Sequence, residues 1–253
     1  MALSAEVRIV NTAADLFQTA AREFAARAAE AVSARGRFCV ALSGGSTPRS
    51  LYSLLAGGSA PSIPWDRIYF FWGDERHVPP ADPDSNYRMA NEALLSKVPI
   101  PTSNVFRIPA EENDAEAAAV AYEQTLRAFF RLDPGEFPRF DLILLGIGLE
   151  GHTASLFPGS TALEERTRLV VANWVEKLKA DRITVTLPVL NHAACVMFLA
   201  SGSDKAEILR EVLENPAADL PAQKVQPGNG RLVWLLDRAA AGRLAAGNQD
   251  TSA

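Results

Sequence analysis

Phe38-Cys39-Val40-Ala41-Leu42-Ser43-Gly44-Gly45-Ser46-Thr47-Pro48-Arg49 is the stretch that decides the fold. Five apolar residues without alternation read as a strand covered on both faces. Two glycines permit a tight turn, and Pro48 suits the first turn of a helix running to about Ala56. The same strand–turn–helix rhythm recurs outward in both directions. Upstream, Val7–Val10 reads as a strand and Ala13–Ala34 as a helix. Phe17, Ala21, Phe24, Ala28 and Val32 recur there at helical spacing, and Gly36 ends the run. Downstream, strands are expected at Ile68–Trp72, Val105–Ile108, Phe140–Gly146, Leu169–Trp174, Arg182–Leu187, Ala194–Ala200 and Leu232–Leu236. Helices are expected at Tyr87–Leu95, Asp114–Arg131, Asp204–Glu214 and Ala239–Ala246. Strands interleaved with helices predict an α/β domain whose mainly parallel sheet is flanked by helices. In such a sheet, ligands sit beyond the carboxyl ends of the strands. The segments after Leu42, Trp72, Gly146 and Ala200 are therefore the ones to question.

The 253 residues suit a single domain, with Gly57–Pro61 and the tail after Gly247 as solvated connectors. Lys and Arg number 25 against 30 Asp and Glu, a net charge of −5, which argues against nucleic-acid binding across the surface. An anionic ligand must then be held by a local positive site. No apolar run approaches the ~20 residues that span a bilayer. Cys39 and Cys195 each lie in an apolar run and read as small hydrophobes rather than a disulfide framework. With no signal-like N-terminus, the cytoplasm is the expected compartment. Trp65, Trp72, Trp174 and Trp234 fall in or beside strands and read as core.

Each turn after a strand carries candidate chemistry beside a plainer structural reading. Ser43-Gly44-Gly45-Ser46-Thr47 offers backbone N–H groups and small hydroxyls at a helix start, with Ser46 or Thr47 as its cap. This reads either as a phosphate cradle or as an ordinary tight turn; no Walker A motif occurs. Gly73-Asp74-Glu75-Arg76-His77 places charges directly beyond an aromatic strand, either as a surface loop with an ion pair or as a site where the Arg76 fork meets phosphate. The following Asp82–Asn86 lacks the glycine and terminal glutamate of a calcium loop. Gly146-Ile147-Gly148-Leu149-Glu150-Gly151-His152 matches GxGxxG in form, but Pro158 interrupts any long helix after it, which weakens a dinucleotide reading. The alternative is that the glycines expose His152 beside Glu150, where a neutral imidazole can take a proton from water. Lys205, in Ser201-Gly202-Ser203-Asp204-Lys205, stands either as a solvated lysine or as a cation opposite a bound anion. No GxSxG elbow, CxxC or HxxxH occurs, so a hydrolase serine and a zinc site lack support. His192 reads as packing or surface.

Four segments in this order resemble the lactonase branch of the glucosamine-6-phosphate isomerase/6-phosphogluconolactonase family. They are Ala41–Tyr52, Trp65–Arg88, Phe140–Gly159 and Arg182–Leu209, and together they span most of the chain. The resemblance implies a modified Rossmann-type fold like that of the glucosamine-6-phosphate deaminases. It also implies hydrolysis of 6-phosphoglucono-1,5-lactone, a step of the oxidative pentose phosphate pathway, without metal or cofactor. The family usually carries Asp-Gly-His where Glu150-Gly151-His152 stands here, so the carboxylate is kept but lengthened by one methylene. The sister deaminases usually carry Asp-Glu-Tyr where Asp74-Glu75-Arg76 stands, which favours the lactonase. On this expectation Ser43, Gly44, Gly45, Ser46, Thr47, Asp74, Arg76 and Lys205 hold the sugar phosphate. His152 is then the general base and Glu150 orients it or a sugar hydroxyl, with backbone N–H groups near Gly148–Gly151 or a cation meeting the oxyanion. A monomer or weak homodimer acting on a small molecule is expected. A deaminase-like isomerase, separable by ammonia release, and a non-catalytic sugar-phosphate sensor are the alternatives.

Overall fold

A computed structural model describes residues 5–58 and 63–245. Ser59–Pro61 of the expected connector and the tail after Gly247 lie outside the described residues. Nine strands and six α-helices follow in the order β1 (Glu6–Val10), α1 (Ala13–Arg35), β2 (Phe38–Leu42), α2 (Ser46–Ala56), β3 (Ile68–Trp72), β4 (Asp74–Arg76), α3 (Asn86–Ala93), α4 (Ala115–Phe130), β5 (Leu142–Leu145), β6 (Val170–Val175), β7 (Ala180–Val185), α5 (Leu187–His192), β8 (Cys195–Ala200), α6 (Ala206–Glu214) and β9 (Arg231–Asp237) among those residues. The main sheet is six-stranded and wholly parallel, in the order β1-β9-β8-β5-β2-β3. A second, antiparallel sheet in the order β4-β7-β6 stands beyond its carboxyl end. The α/β expectation with a mainly parallel sheet is met.

Local chemistry explains the boundaries. Thr12 caps α1 through a reciprocal capping box with Asp15, and Gly36 closes it at φ 73°. Asp114 caps α4 by accepting from the Glu116 N–H. Every residue of β2, β5 and β8 is buried, as a sheet covered on both faces requires. Phe198 and Trp234 stack across the β8–β9 pair with centroids 3.8 Å apart, and Phe71 gathers Phe106, Phe129, Phe130 and Phe140 at 4.9–5.7 Å.

Several expectations need correction. Val105–Ile108 is not a strand: Val105 makes one isolated bridge to Phe70 before the chain leaves toward Pro109. The expected helix at Ala239–Ala246 is a run of turns as far as it is described, with Gly242 inside it, a residue that weakens a helix interior. Residues Ser203–Lys205 form a 3₁₀ turn ahead of α6 rather than its start. Trp174 is not core: it is 54% exposed. Side chains alternate along β6, so buried Asn173 and Val175 send Trp174 to the other side, where its indole N–H donates to Glu176.

Candidate active site

Sheet order builds the site. Strands β8, β5, β2 and β3 are neighbours, so the turns after their carboxyl ends meet around one cleft of about 210 Å³. Ser43, Gly44, Gly45, Ser46 and Thr47 line it from β2, Asp74 and Arg76 from β3–β4, His152 from β5 and Lys205 from β8. Glu150 does not line the cleft but lies beside Nδ1 of His152.

The turn after β2 is clamped from beneath. The buried Tyr52 hydroxyl accepts from the Ser43 N–H at 3.0 Å and donates to the Ser43 carbonyl at 2.9 Å. Gly45 then takes φ 103° and becomes the N-cap of α2 with no side-chain cap. Neither Ser46 nor Thr47 caps the helix, because the left-handed turn at Gly45 starts it two residues early. The first N–H groups of α2 therefore lack a side-chain cap at the edge of the cleft. The Ser43 hydroxyl is buried, lines the cleft and has no hydrogen-bond partner among the described residues. Tyr52→Phe leaves both Ser43 backbone groups unpaired and is expected to cost about 1–3 kcal/mol, measured by urea unfolding.

The charged turn after β3 is not a solvated loop. Asp74 and Glu75 are buried. Glu75 accepts from the N–H groups of Arg76, Asn86 and Tyr87 and from the Ser85 hydroxyl, and burial raises its pKa despite these bonds. The Asp82–Asn86 segment is thus a structural turn, with Ser85 capping α3. Asp74 accepts from the Ser155 hydroxyl at 2.7 Å. Arg76 donates to the Asp84 carbonyl at 2.6 Å and, among the described residues, pairs with no carboxylate.

Two residues of this region are absent from the sequence expectation. Asn86 is buried, donates to the Asp74 carbonyl, and presses its side-chain oxygen on Gly44 so closely that an added Cβ there falls 1.8 Å from it. Arg182 stands directly opposite Arg76 in the β4–β7 register, so both side chains leave the same face. Burial and the Arg76 charge lower its pKa. Among the described residues neither guanidinium makes a direct ion pair, although Asp74, Asp84 and Glu75 lie near enough to offset part of that repulsion. Neither residue is marked by a motif; the signal for Arg182 is its register, which only the folded sheet supplies.

After β5, the loop folds tightly on itself. The Gly148 N–H donates to the His152 carbonyl and the Gly151 N–H to the Gly148 carbonyl. No α-helix separates this loop from β6, only a 3₁₀ turn at Thr161–Leu163, which removes the structural basis of a dinucleotide reading. Phe157 stacks on the His152 ring at 4.2 Å. The Glu150 carboxylate lies 3.2 Å from Nδ1, without the alignment of a hydrogen bond. Burial lowers the imidazole pKa more than Glu150 and Asp74 raise it, so the ring is neutral near pH 7. Burial of Glu150 acts upward, but its own backbone amide, His152 and Lys177 outweigh it and hold the carboxyl below its usual range. Ala154 takes φ 48°, a strained value for alanine, and turns the chain so that Thr153 bonds the Gly146 carbonyl and Ser155 reaches Asp74.

Lys205 closes the other side. Asp237 accepts from Gly202 N–H and the Ser201 hydroxyl, fixing the turn that presents Lys205 beside a 3.5 Å contact with Asp204.

The parallel sheet, the glycine-rich turn and the cleft that carries Arg76, Lys205 and His152 at the carboxyl end of that sheet define an α/β protein with a polar cleft at the switch from strands to helices. Residues 11–234 match the family model described as glucosamine-6-phosphate isomerases/6-phosphogluconolactonase, and the chain belongs to that family. A 6-phosphogluconolactonase of Nostoc is 46% identical over 216 residues, covering 85% of this chain and 88% of that one. The structure of 6-phosphogluconolactonase from Trypanosoma cruzi superposes with a TM-score of 0.86 at 30% identity, covering 97% and 99%. A monomeric glucosamine-6-phosphate deaminase follows at TM-score 0.78 and 26% identity, covering 94% and 99%.

Proposed function

We propose that this chain hydrolyses 6-phosphoglucono-1,5-lactone to 6-phosphogluconate. The observation that carries the reading is a neutral imidazole sharing one cleft with Arg76, Lys205 and the uncapped start of α2. The phosphate dianion is held by Arg76, Lys205 and the backbone of Ser43–Thr47, which sets the ester carbonyl against His152. His152 takes a proton from water as its oxygen bonds to C1. The bond from C1 to the ring oxygen then breaks, and that oxygen receives the proton as the chain opens. Glu150, beside Nδ1, favours the charged ring formed in between. The N–H groups of Gly148 and Gly151 are spent inside their own loop, so they do not meet the oxyanion. Among the described residues the Ser43 hydroxyl is a buried donor in the cleft with no hydrogen-bond partner, and Asp74 is a buried acceptor suited to a sugar hydroxyl. No metal or cofactor enters this scheme.

The names of the relatives and the Arg76 position support a lactonase over a deaminase. The cytoplasm, where free thiols such as Cys39 and Cys195 stay reduced, is the proposed compartment, with a monomer or weak homodimer as the working form.

Lactone hydrolysis measured above its spontaneous background tests this. Turnover of the phosphorylated lactone with no ammonia from glucosamine 6-phosphate is expected; ammonia release without lactone turnover contradicts it. Arg76→Ala and Lys205→Ala each are expected to raise KM about 10–100-fold with kcat little changed, as the loss of a charge-assisted phosphate contact demands.

A further inference from the structure

The lengthened carboxylate at Glu150 reaches two partners. Its Oε2 lies 3.2 Å from Nδ1 of His152 and its Oε1 lies 3.4 Å from Nζ of Lys177. Lys177 stands in the turn between β6 and β7, closed by bonds from the Leu178 N–H to the Val175 carbonyl and from the Lys179 N–H to the Glu176 carbonyl. An imidazole N–H beside a carboxylate ordinarily closes into a charge-assisted bond. Here Nδ1 is buried and has no aligned acceptor among the described residues, although the carboxylate is within reach. The lysine lies on the other side of that carboxylate and competes for it.

We propose that Lys177 is a positioning residue for the proton-transfer step: by holding the outer oxygen of Glu150, it keeps the carboxylate from closing on His152. The claim deepens the lactonase reading and rests on its assignment of His152 as the base. Four charges act on that ring from four segments. Glu150 of its own loop and Asp74 of β4 favour the imidazolium, while Lys205 ahead of α6 opposes it and Lys177 draws off part of the Glu150 charge.

The sign follows. Without the ammonium, the carboxylate is free to align on Nδ1 and its charge is no longer shared. Both changes favour the protonated ring, so His152 titrates at higher pH. The chain has three histidines, His77, His152 and His192, so NMR titration of the imidazole C–H signals reads His152 directly, with a His152→Asn variant for assignment. Lys177→Met is expected to raise the His152 midpoint by about 0.5 pH unit at low salt. The difference shrinks at 1 M salt, where the Debye length falls to about 3 Å. Lys177→Arg keeps the midpoint near that of the unaltered chain, and the acid limb of kcat/KM moves with the midpoint in each variant. A midpoint that stays fixed or falls in Lys177→Met overturns the proposal. Because the titration needs no substrate, a chain that failed to hydrolyse lactone would sink the lactonase reading and leave this result readable.

Discussion

His152→Ala lowers kcat by about 10²–10⁴-fold with KM changed little, the loss expected when a positioned general base is removed. Stopped assays on the purified variant against the spontaneous background measure it. The ring sits in a loop stitched by its own backbone bonds, so truncation leaves the turn after β2 and Lys205 in place. The pH dependence of the unaltered chain carries a second signature of the same residue. A base must be neutral to act, and burial lowers the imidazole pKa from its ordinary 6.5. The acid limb of kcat/KM therefore falls below pH 6.5, and activity persists at pH values where an exposed histidine is mostly protonated. In His152→Ala that limb disappears along with most of the rate.

Gly148→Ala is expected to be nearly as damaging without touching a reacting group. A Cβ built on Gly148 falls 2.0 Å from both Nδ1 and Cε1 of His152. No real contact is that short, so the imidazole must swing away, whereas the backbone stays within reach of its present conformation because φ at Gly148 is not in the left-handed region. Displacing a catalytic group by about 1 Å costs on the order of 10²-fold in rate. The expected result is a kcat lowered about 100-fold with an unfolding midpoint close to that of the unaltered chain. A variant with full turnover would mean that the ring does not need its present seat over Gly148.

Most of the framework was legible because its determinants are local. Phe38–Leu42, Leu142–Leu145 and Cys195–Ala200 lack alternation, and apolar runs that short with glycine turns after them suit strands covered on both faces better than buried helices. The glycine at 36 and the acid at 114 announce helix ends through their own chemistry. What stayed hidden depends on pairing between distant segments. Asp74–Arg76 is three charged residues long and becomes a strand only because β7 comes beside it. That pairing buries Asp74, brings Arg182 opposite Arg76, and gives Ser155 its place. Trp174 misled for the related reason that a large ring in a strand carries no mark of which side it faces. Among the site candidates, the turns after the strands were readable from glycine and charge. Asn86 was not, since its importance lies in pressing on Gly44 across two loops. The one-methylene departure at Glu150 was visible in the residue itself; its second partner, Lys177, lies 27 positions away on a hairpin.

The division of labour in the cleft is tested most directly by comparing the phosphorylated lactone with the same lactone lacking phosphate. Specificity constants for both are measured in the unaltered chain, His152→Ala and Arg76→Ala. The expected result is a preference for the phosphorylated ester that His152→Ala preserves while slowing both, and that Arg76→Ala reduces about 10–100-fold. An Arg76→Ala enzyme that kept the full preference, or an unaltered chain that had none, would contradict it.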